Sequence, residues 1–324
     1  MEMQAFVKKK PSILVAELQA RYVYKEVLLS DIQGDENKRP DVSVMKSVTV
    51  HGSTAASNRS IVISKDSVEV EITSDTEELS FVDCDDSTYD WAGIKLSELP
   101  NLRSITFDGL RSLSDGVLTE LTSAINNLRV LRINRCPTLT TRSLNNLLSN
   151  NVGIIDLDLS LMPKLDDAYL ADGISKLKRI QHVSLDASPR LGSSCANALA
   201  NNCEFLRSAS FSGSATLETA SFDNLTKRCP LLEELAICGC ELVNLDTIEN
   251  LFLIAKNLQI LDVSLISGVP QEGVQALRSR GITVIHRPKV TAWSVPRLLP
   301  DPPPVVEKKE KKPKGKGGKK SKKR

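Results

Sequence analysis

Imidazole is the side chain most often used as a general acid or base, and this chain has three: His51, His182 and His286. None stands in a recognisable catalytic motif, and the sequence contains no G-x-S-x-G, no phosphate-cradling P-loop and no H-E-x-x-H. The expectation is a non-enzyme that needs no cofactor. Cys238-Gly239-Cys240 has the look of a metal pair, to be judged by its register below. Asp83, Asp85, Asp86 and Asp90 have the charge of a calcium loop but lack its glycine and terminal glutamate, so a solvated loop is expected. The densest chemistry is electrostatic. Lys308, Lys309, Lys311, Lys312, Lys314, Lys316, Lys319, Lys320, Lys322, Lys323 and Arg324 crowd the C-terminus. Such a run suits a nuclear or nucleolar address, or contact with an acidic partner, nucleic acid or anionic membrane. With aromatics at 4%, the chain has little with which to stack bases, so a nucleic-acid contact by the run would bring affinity without sequence preference.

The formal net charge of +2 conceals two unlike pieces. Residues 305–324 hold eleven basic residues against Glu307 and Glu310, leaving 31 basic and 38 acidic residues, a net of −7, in 1–304. The run from Glu307 onwards has no apolar side chain to bury and is expected to be disordered. Pro300, Pro302, Pro303 and Pro304 make a stiff linker before it. The remainder, with 41% apolar and 25% charged residues overall, has the mixture of a globular protein. No apolar run approaches the ~18 residues of a membrane span, and no secretory signal is visible. Seven scattered cysteines fit a reducing compartment, so an intracellular, cytoplasmic protein is expected.

What would position any functional side chain is a repeat. The spacing L-x-x-L-x-L occurs at Leu102/Ile105/Phe107 and returns every 26 residues, at Leu128, Ile154, Ile180, Leu206, Leu232 and Leu258. One step back, Thr76/Leu79/Phe81 is a weaker copy; of the 24 positions only Thr76 is not apolar. Eleven residues after each start from 102 stand Leu113, Leu139, Leu165, Leu191, Leu217, Val243 and Val269. Sixteen and nineteen after stand further apolar columns, broken only at Gly173. The first triplet has the period of a strand, and offsets 16 and 19 share one helix face. Each unit is a strand, a turn and a helix whose apolar faces meet only when neighbours stack.

The pattern resembles a leucine-rich repeat, in its cysteine-containing subclass. Cys136 and Cys240 fill that subclass's cysteine slot eight residues after the first leucine, and Cys229-Pro230 matches its cysteine-proline pair before the next strand. Cys203-Glu204 matches in part, and Leu110, Met162, Ser188, Ser214 and Ile266 replace the slot cysteine elsewhere. The resemblance implies an α/β fold, a right-handed solenoid of horseshoe or arc form, used for binding other proteins. By its register Cys240 is then a packing thiol, not a metal ligand. The resemblance also raises an F-box, often fused to such repeats, but residues 1–50 lack its leucine-proline opening.

Four segments follow. Residues 1–75 read as a cap of helix, over 12–28, plus short valine-rich strands at 43–50 and 67–72. Repeats fill 76–287, starting near 76, 102, 128, 154, 180, 206, 232 and 258. A last cap and linker, with Trp293 sealing the final repeat, takes 288–304, and 305–324 is the tail. Strand offsets two, four and six project from the core onto the concave face. They bring together Asp108, Arg132, Asp156, Asp158, His182, Asp186, Glu234 and Asp262. Such a face repels phosphate and suits a basic or hydroxyl-rich protein segment. Asp156, Asp158 and Asp186 are its expected centre, and replacing all three is expected to leave thermal stability nearly unchanged. The function expected is a protein–protein scaffold or adaptor. The alternatives are a nucleic-acid or ribonucleoprotein factor recruited by the tail, and a ubiquitin-ligase substrate adaptor with an unrecognised F-box.

Overall fold

In the computed structural model the described residues are 47–51, 60–64, 69–84, 96–246 and 248–287. All lie in the second of two units, Met1–Met45 and Lys46–Arg324. The expected helix over 12–28, Trp293 with its linker, and the lysine tail fall outside the described residues.

Every strand pairing is parallel. β4 (Glu78–Val82), β5 (Ser104–Asp108), β6 (Val130–Asn134), β7 (Asp156–Asp158), β8 (His182–Ser184), β9 (Ser208–Ser210), β10 (Glu234–Ala236) and β11 (Ile260–Asp262) lie side by side in chain order. Ile105 faces Leu131, which faces Leu157, so the 26-residue spacing is the register of the sheet. β12 (Thr283–Ile285) closes one end. At the other end stands β2 (Ser60–Ser64), paired with β4 eighteen residues on. β1 (Ser47–His51) and β3 (Glu69–Thr73) form a separate two-stranded sheet. The strands expected at 43–50 and 67–72 are therefore present as β1 and β3. β2 was not anticipated, because a turn shortened from 26 to 18 residues drops out of a 26-residue count.

Behind the sheet run α1 (Asp115–Thr122), α2 (Thr141–Asn150), α3 (Asp167–Ile174), α4 (Ser193–Asn202), α5 (Thr219–Arg228), the short α6 (Leu251–Ile254) and α7 (Gln271–Ser279). The triplet columns and the helix columns bury one continuous core, with Phe81 stacked on Phe107 at 5.4 Å. The break at Gly173 has a steric cause. A side chain there would meet Asn145 Oδ1 and Leu148 from α2.

The seventh offset after each start has positive φ in all eight repeats, at Asp83, Gly109, Arg135, Leu161, Ala187, Gly213, Gly239 and Leu265. Only three are glycine, so local preference does not impose the turn. Seven of these N–H groups donate to the carbonyl at offset six of the next repeat, as in Leu161 to Asp186 at 2.8 Å and Ala187 to Ser212 at 2.7 Å, and Leu265 donates to Arg287 O just past β12 at 2.8 Å. The left-handed residue aims its donor along the stack, and that bond offsets the roughly 1–2 kcal/mol of strain at a non-glycine.

A second joint runs through offset 13. Asp115, Thr141, Asp167 and Ser193 each accept from the N–H at the head of the next repeat's helix, Thr140, Asp166, Gly192 and Glu218, and Thr219 from the equivalent Asn244, at 2.7–2.9 Å. Asp167 also takes the N–H groups of Ser194 and Cys195. Helices α2 and α4 accordingly have no side-chain cap of their own. The cap comes from the preceding repeat.

Candidate functional site

The sheet face turned away from the core is the one expected to bind. Its offset-two row runs Val130, Asp156, His182, Ser208, Glu234 and Ile260 across neighbouring strands. Its offset-four row runs Arg132, Asp158, Ser184, Ser210, Ala236 and Asp262. Neighbouring strands in a sheet lie ~4.8 Å apart, so each row is a line of touching side chains.

The two rows differ in access. His182 is exposed, and Asp156 and Glu234 are half-buried. Asp156 Oδ2 accepts from Arg132 at 2.6 Å, and Glu234 Oε2 from Ser208 at 3.4 Å. Asp108, also half-buried, pairs instead with Arg135, which reaches on to Asp83 and so ties three turns together. Gly109 lets that bridge pass, since a Cβ there would overlap Asp83 Oδ1. Both aspartates strengthen the proton's hold on the Arg135 guanidinium. Asp83 is thus an ion-pair partner, while Asp85, Asp86 and Asp90 lie outside the described residues.

Asp158, Asp186 and Asp262 are buried, at 4%, 7% and 3% exposure. Asp158 Oδ1 accepts from the Ser160 N–H and hydroxyl, and its Oδ2 from Asn134 at 3.2 Å. Asp186 Oδ1 accepts from the Ser210 hydroxyl and the Ser212 N–H, and Asp262 Oδ1 from the Ser264 N–H at 2.9 Å. These carboxylates take up backbone donors just past strands that have shortened from five residues to three. Burial raises the Asp262 carboxyl, against lowering contributions from the Ser264 hydrogen bonds and from Arg287 and His286. The expectation that replacing Asp156, Asp158 and Asp186 leaves stability unchanged is therefore corrected. Two of the three hold the stack together, and their side chains, read as exposed from their strand offsets, are sealed by short serine neighbours.

All seven cysteines are buried free thiols. Burial pushes Cys203 up to about 11 and Cys229 and Cys240 up to about 12, the wrong direction for a thiolate nucleophile or ligand. In the slot, Cys136 Sγ donates to Phe107 O at 3.7 Å and Cys240 Sγ to Phe211 O at 3.1 Å. Ser188 makes the same bond to Leu159 O at 3.0 Å, and Cys84 to Ile63 O at 3.4 Å. Cys84 lies eight residues after the weak copy at 76 and is a slot cysteine that the sequence reading passed over. Among the described residues no three His, Cys, Asp or Glu side chains gather as a metal site, and no helix is long and apolar enough to cross a membrane.

The fold is a leucine-rich-repeat solenoid. No family model matches the chain, and no curated protein matches it. Among solved structures it is similar to one described as the complex of Rad7 and Elc1 in yeast, at 18% identity over 67% of this chain and 75% of that one, with a TM-score of 0.34. It is also similar to the leucine-rich-repeat protein LIC12759 of Leptospira interrogans, at 14% identity and a TM-score of 0.41 over 67% of this chain; it spans 51% of that protein's length.

Proposed function

We propose that this chain is a non-enzymatic protein-interaction scaffold whose open sheet face receives a basic or hydroxyl-rich segment of a partner. The observation that carries this reading is the division of labour between the two rows. The buried carboxylates fix the backbone, so the accessible side chains of Asp156, His182 and Glu234, with Arg132 and Asp108 beside them, stand on a rigid support. A pre-ordered face loses little entropy when a partner docks. The slot bonds of Cys84, Cys136 and Cys240 further favour the cysteine-containing repeat subclass, and the lysine tail supplies localisation or electrostatic contact.

The test is affinity purification from native extract, comparing the chain with its Asp156→Ala/His182→Ala/Glu234→Ala variant and with residues 1–304, each with and without nuclease. Loss of the same proteins in the triple variant, regardless of nuclease, is the expected result. Retention of every partner by the triple variant would remove the open face from consideration.

A further inference from the structure

From α3 onwards, the edge where each helix hands over to the next strand carries the opposite charge to the open face. Lys178, Arg179, Arg207, Arg228 and Lys256 are exposed there, against Glu204 and Glu233. Helix dipoles do not account for the row. Arg228 lies in a helix's last turn, but α3 and α4 have no basic residue in theirs, and the other four cations sit in the connections. Arg207 is paired with Glu233. Lys178 Nζ donates to Asn202 Oδ1 at 2.7 Å and Arg228 to Asn201 Oδ1 at 2.9 Å. Both cations thus converge from the turns on either side upon neutral amides at the end of α4, which position them without cancelling their charge.

Beside those amides stands Phe205, with 50% of its surface exposed. Phe81, Phe107 and Phe211 are wholly buried in the core columns, whereas Phe205 sits one position before the repeat start, outside them. Arg179 holds the equivalent position one turn earlier. The turns are in register here, since Arg207 N–H donates to Gln181 O at 2.8 Å and Gln181 N–H to Ile155 O at 2.8 Å. The register therefore puts Arg179 about one strand spacing, ~4.8 Å, from Phe205 along the stack.

An open aromatic face flanked by unneutralised cations is the composition that holds unpaired bases: the ring stacks a base and the cations take the phosphates. We infer that this edge binds single-stranded nucleic acid, with Phe205 stacking a base and Lys178, Arg179 and Arg228 contacting the flanking phosphates. The surface is distinct from the open sheet face, so its failure leaves the protein-scaffold reading intact. A duplex offers Phe205 no unstacked base and is bound only as a polyanion.

The experiment uses the full chain and fluorescence anisotropy with a labelled oligouridine of about 20 nucleotides, a duplex of equal length, and heparin as a base-free polyanion. Phe205→Ala is expected to weaken oligouridine binding about ten-fold or more while leaving duplex and heparin binding unchanged. Phe205→Trp is expected to retain it. Lys178→Glu/Arg179→Glu/Arg228→Glu should flatten the dependence of log affinity on log salt by about two. Phe205 is half in solvent, so a melting curve of Phe205→Ala matching the parent's shows that any loss is not unfolding. Oligouridine affinity unchanged in Phe205→Ala, or lost equally for all three ligands, overturns the inference and leaves the lysine tail as the contact.

Discussion

Asp115 at the head of α1 accepts from the next turn of the stack and Asp262 on the open face from the Ser264 N–H two residues on, and the two carboxyls are pushed in opposite directions. Burial raises Asp115, but the Ser143 hydroxyl at 2.6 Å and the Thr140 hydroxyl and N–H outweigh it and hold the carboxyl below its ordinary range. Asp262 is more deeply buried, and burial wins. What decides whether a carboxylate stabilises a repeat joint is the number of donors it collects against the water it gives up. The two pH signatures follow. A group depressed in the fold contributes stability above its unfolded value near 3.9, lost as pH falls through the folded value. A group raised in the fold costs stability while charged, and that cost disappears as pH falls through its raised value.

The largest effect tests the layer that both carboxylates rest on. Leu131 and Leu157 are fully buried, and truncation of either to alanine is expected to cost about 2–5 kcal/mol by denaturant unfolding. A loss well under 1 kcal/mol at both would contradict the repeat register. Next comes the helix-head joint at its richest. Asp167→Ala orphans the N–H groups of Gly192, Ser194 and Cys195 and is expected to cost about 2–3 kcal/mol. Asp115→Asn should cost less, and its deficit should shrink as pH falls below about 4, where Asp115 of the unfolded parent takes up its proton while the folded carboxylate, held lower, still must lose its charge. A pH-independent deficit would mean that the shape of the joint matters and its charge does not. Smaller still is the left-handed turn. At Gly239 an added Cβ meets nothing within 4 Å, so Gly239→Ala isolates backbone strain and is expected to cost about 1 kcal/mol. Ala187→Gly should gain a similar amount.

The core columns were legible because solenoid packing repeats one demand, apolar side chains, at fixed offsets. The joints were not, because each repeats a geometry that several residue types can meet. Offset 13 is filled by Asp115, Thr141, Asp167, Ser193 and Thr219, which share an accepting oxygen and nothing that a hydrophobic pattern registers. Offset seven needs a left-handed residue, and three glycines among eight were too few to announce it. On the open face the reading put offsets four and six on the side turned from the core and so took Asp158, Asp186 and Asp262 for exposed, whereas all three are buried. Asp158 and Asp186 are covered because their neighbours are serines, short enough to close over them and equipped to donate. Phe205 was missed for the converse reason, since a phenylalanine in a repeat protein reads as core until its offset is seen to lie outside the buried columns.

Asp262→Asn puts the contrast with Asp115 to its finest test. The amide keeps Oδ1 to accept the Ser264 N–H, so that bond survives while the buried charge is removed. Arg287 and His286 lose an attractive partner, which offsets part of the gain. The net expectation is a rise in unfolding free energy at pH 7 of no more than ~1 kcal/mol, fading towards acid as the parent's own carboxyl takes up its proton. Paired denaturant titrations at pH 7 and pH 4 measure it. A loss at pH 7 would mean that attraction to Arg287 outweighs burial, and would place Asp262 with Asp115 among the carboxylates that the stack needs charged.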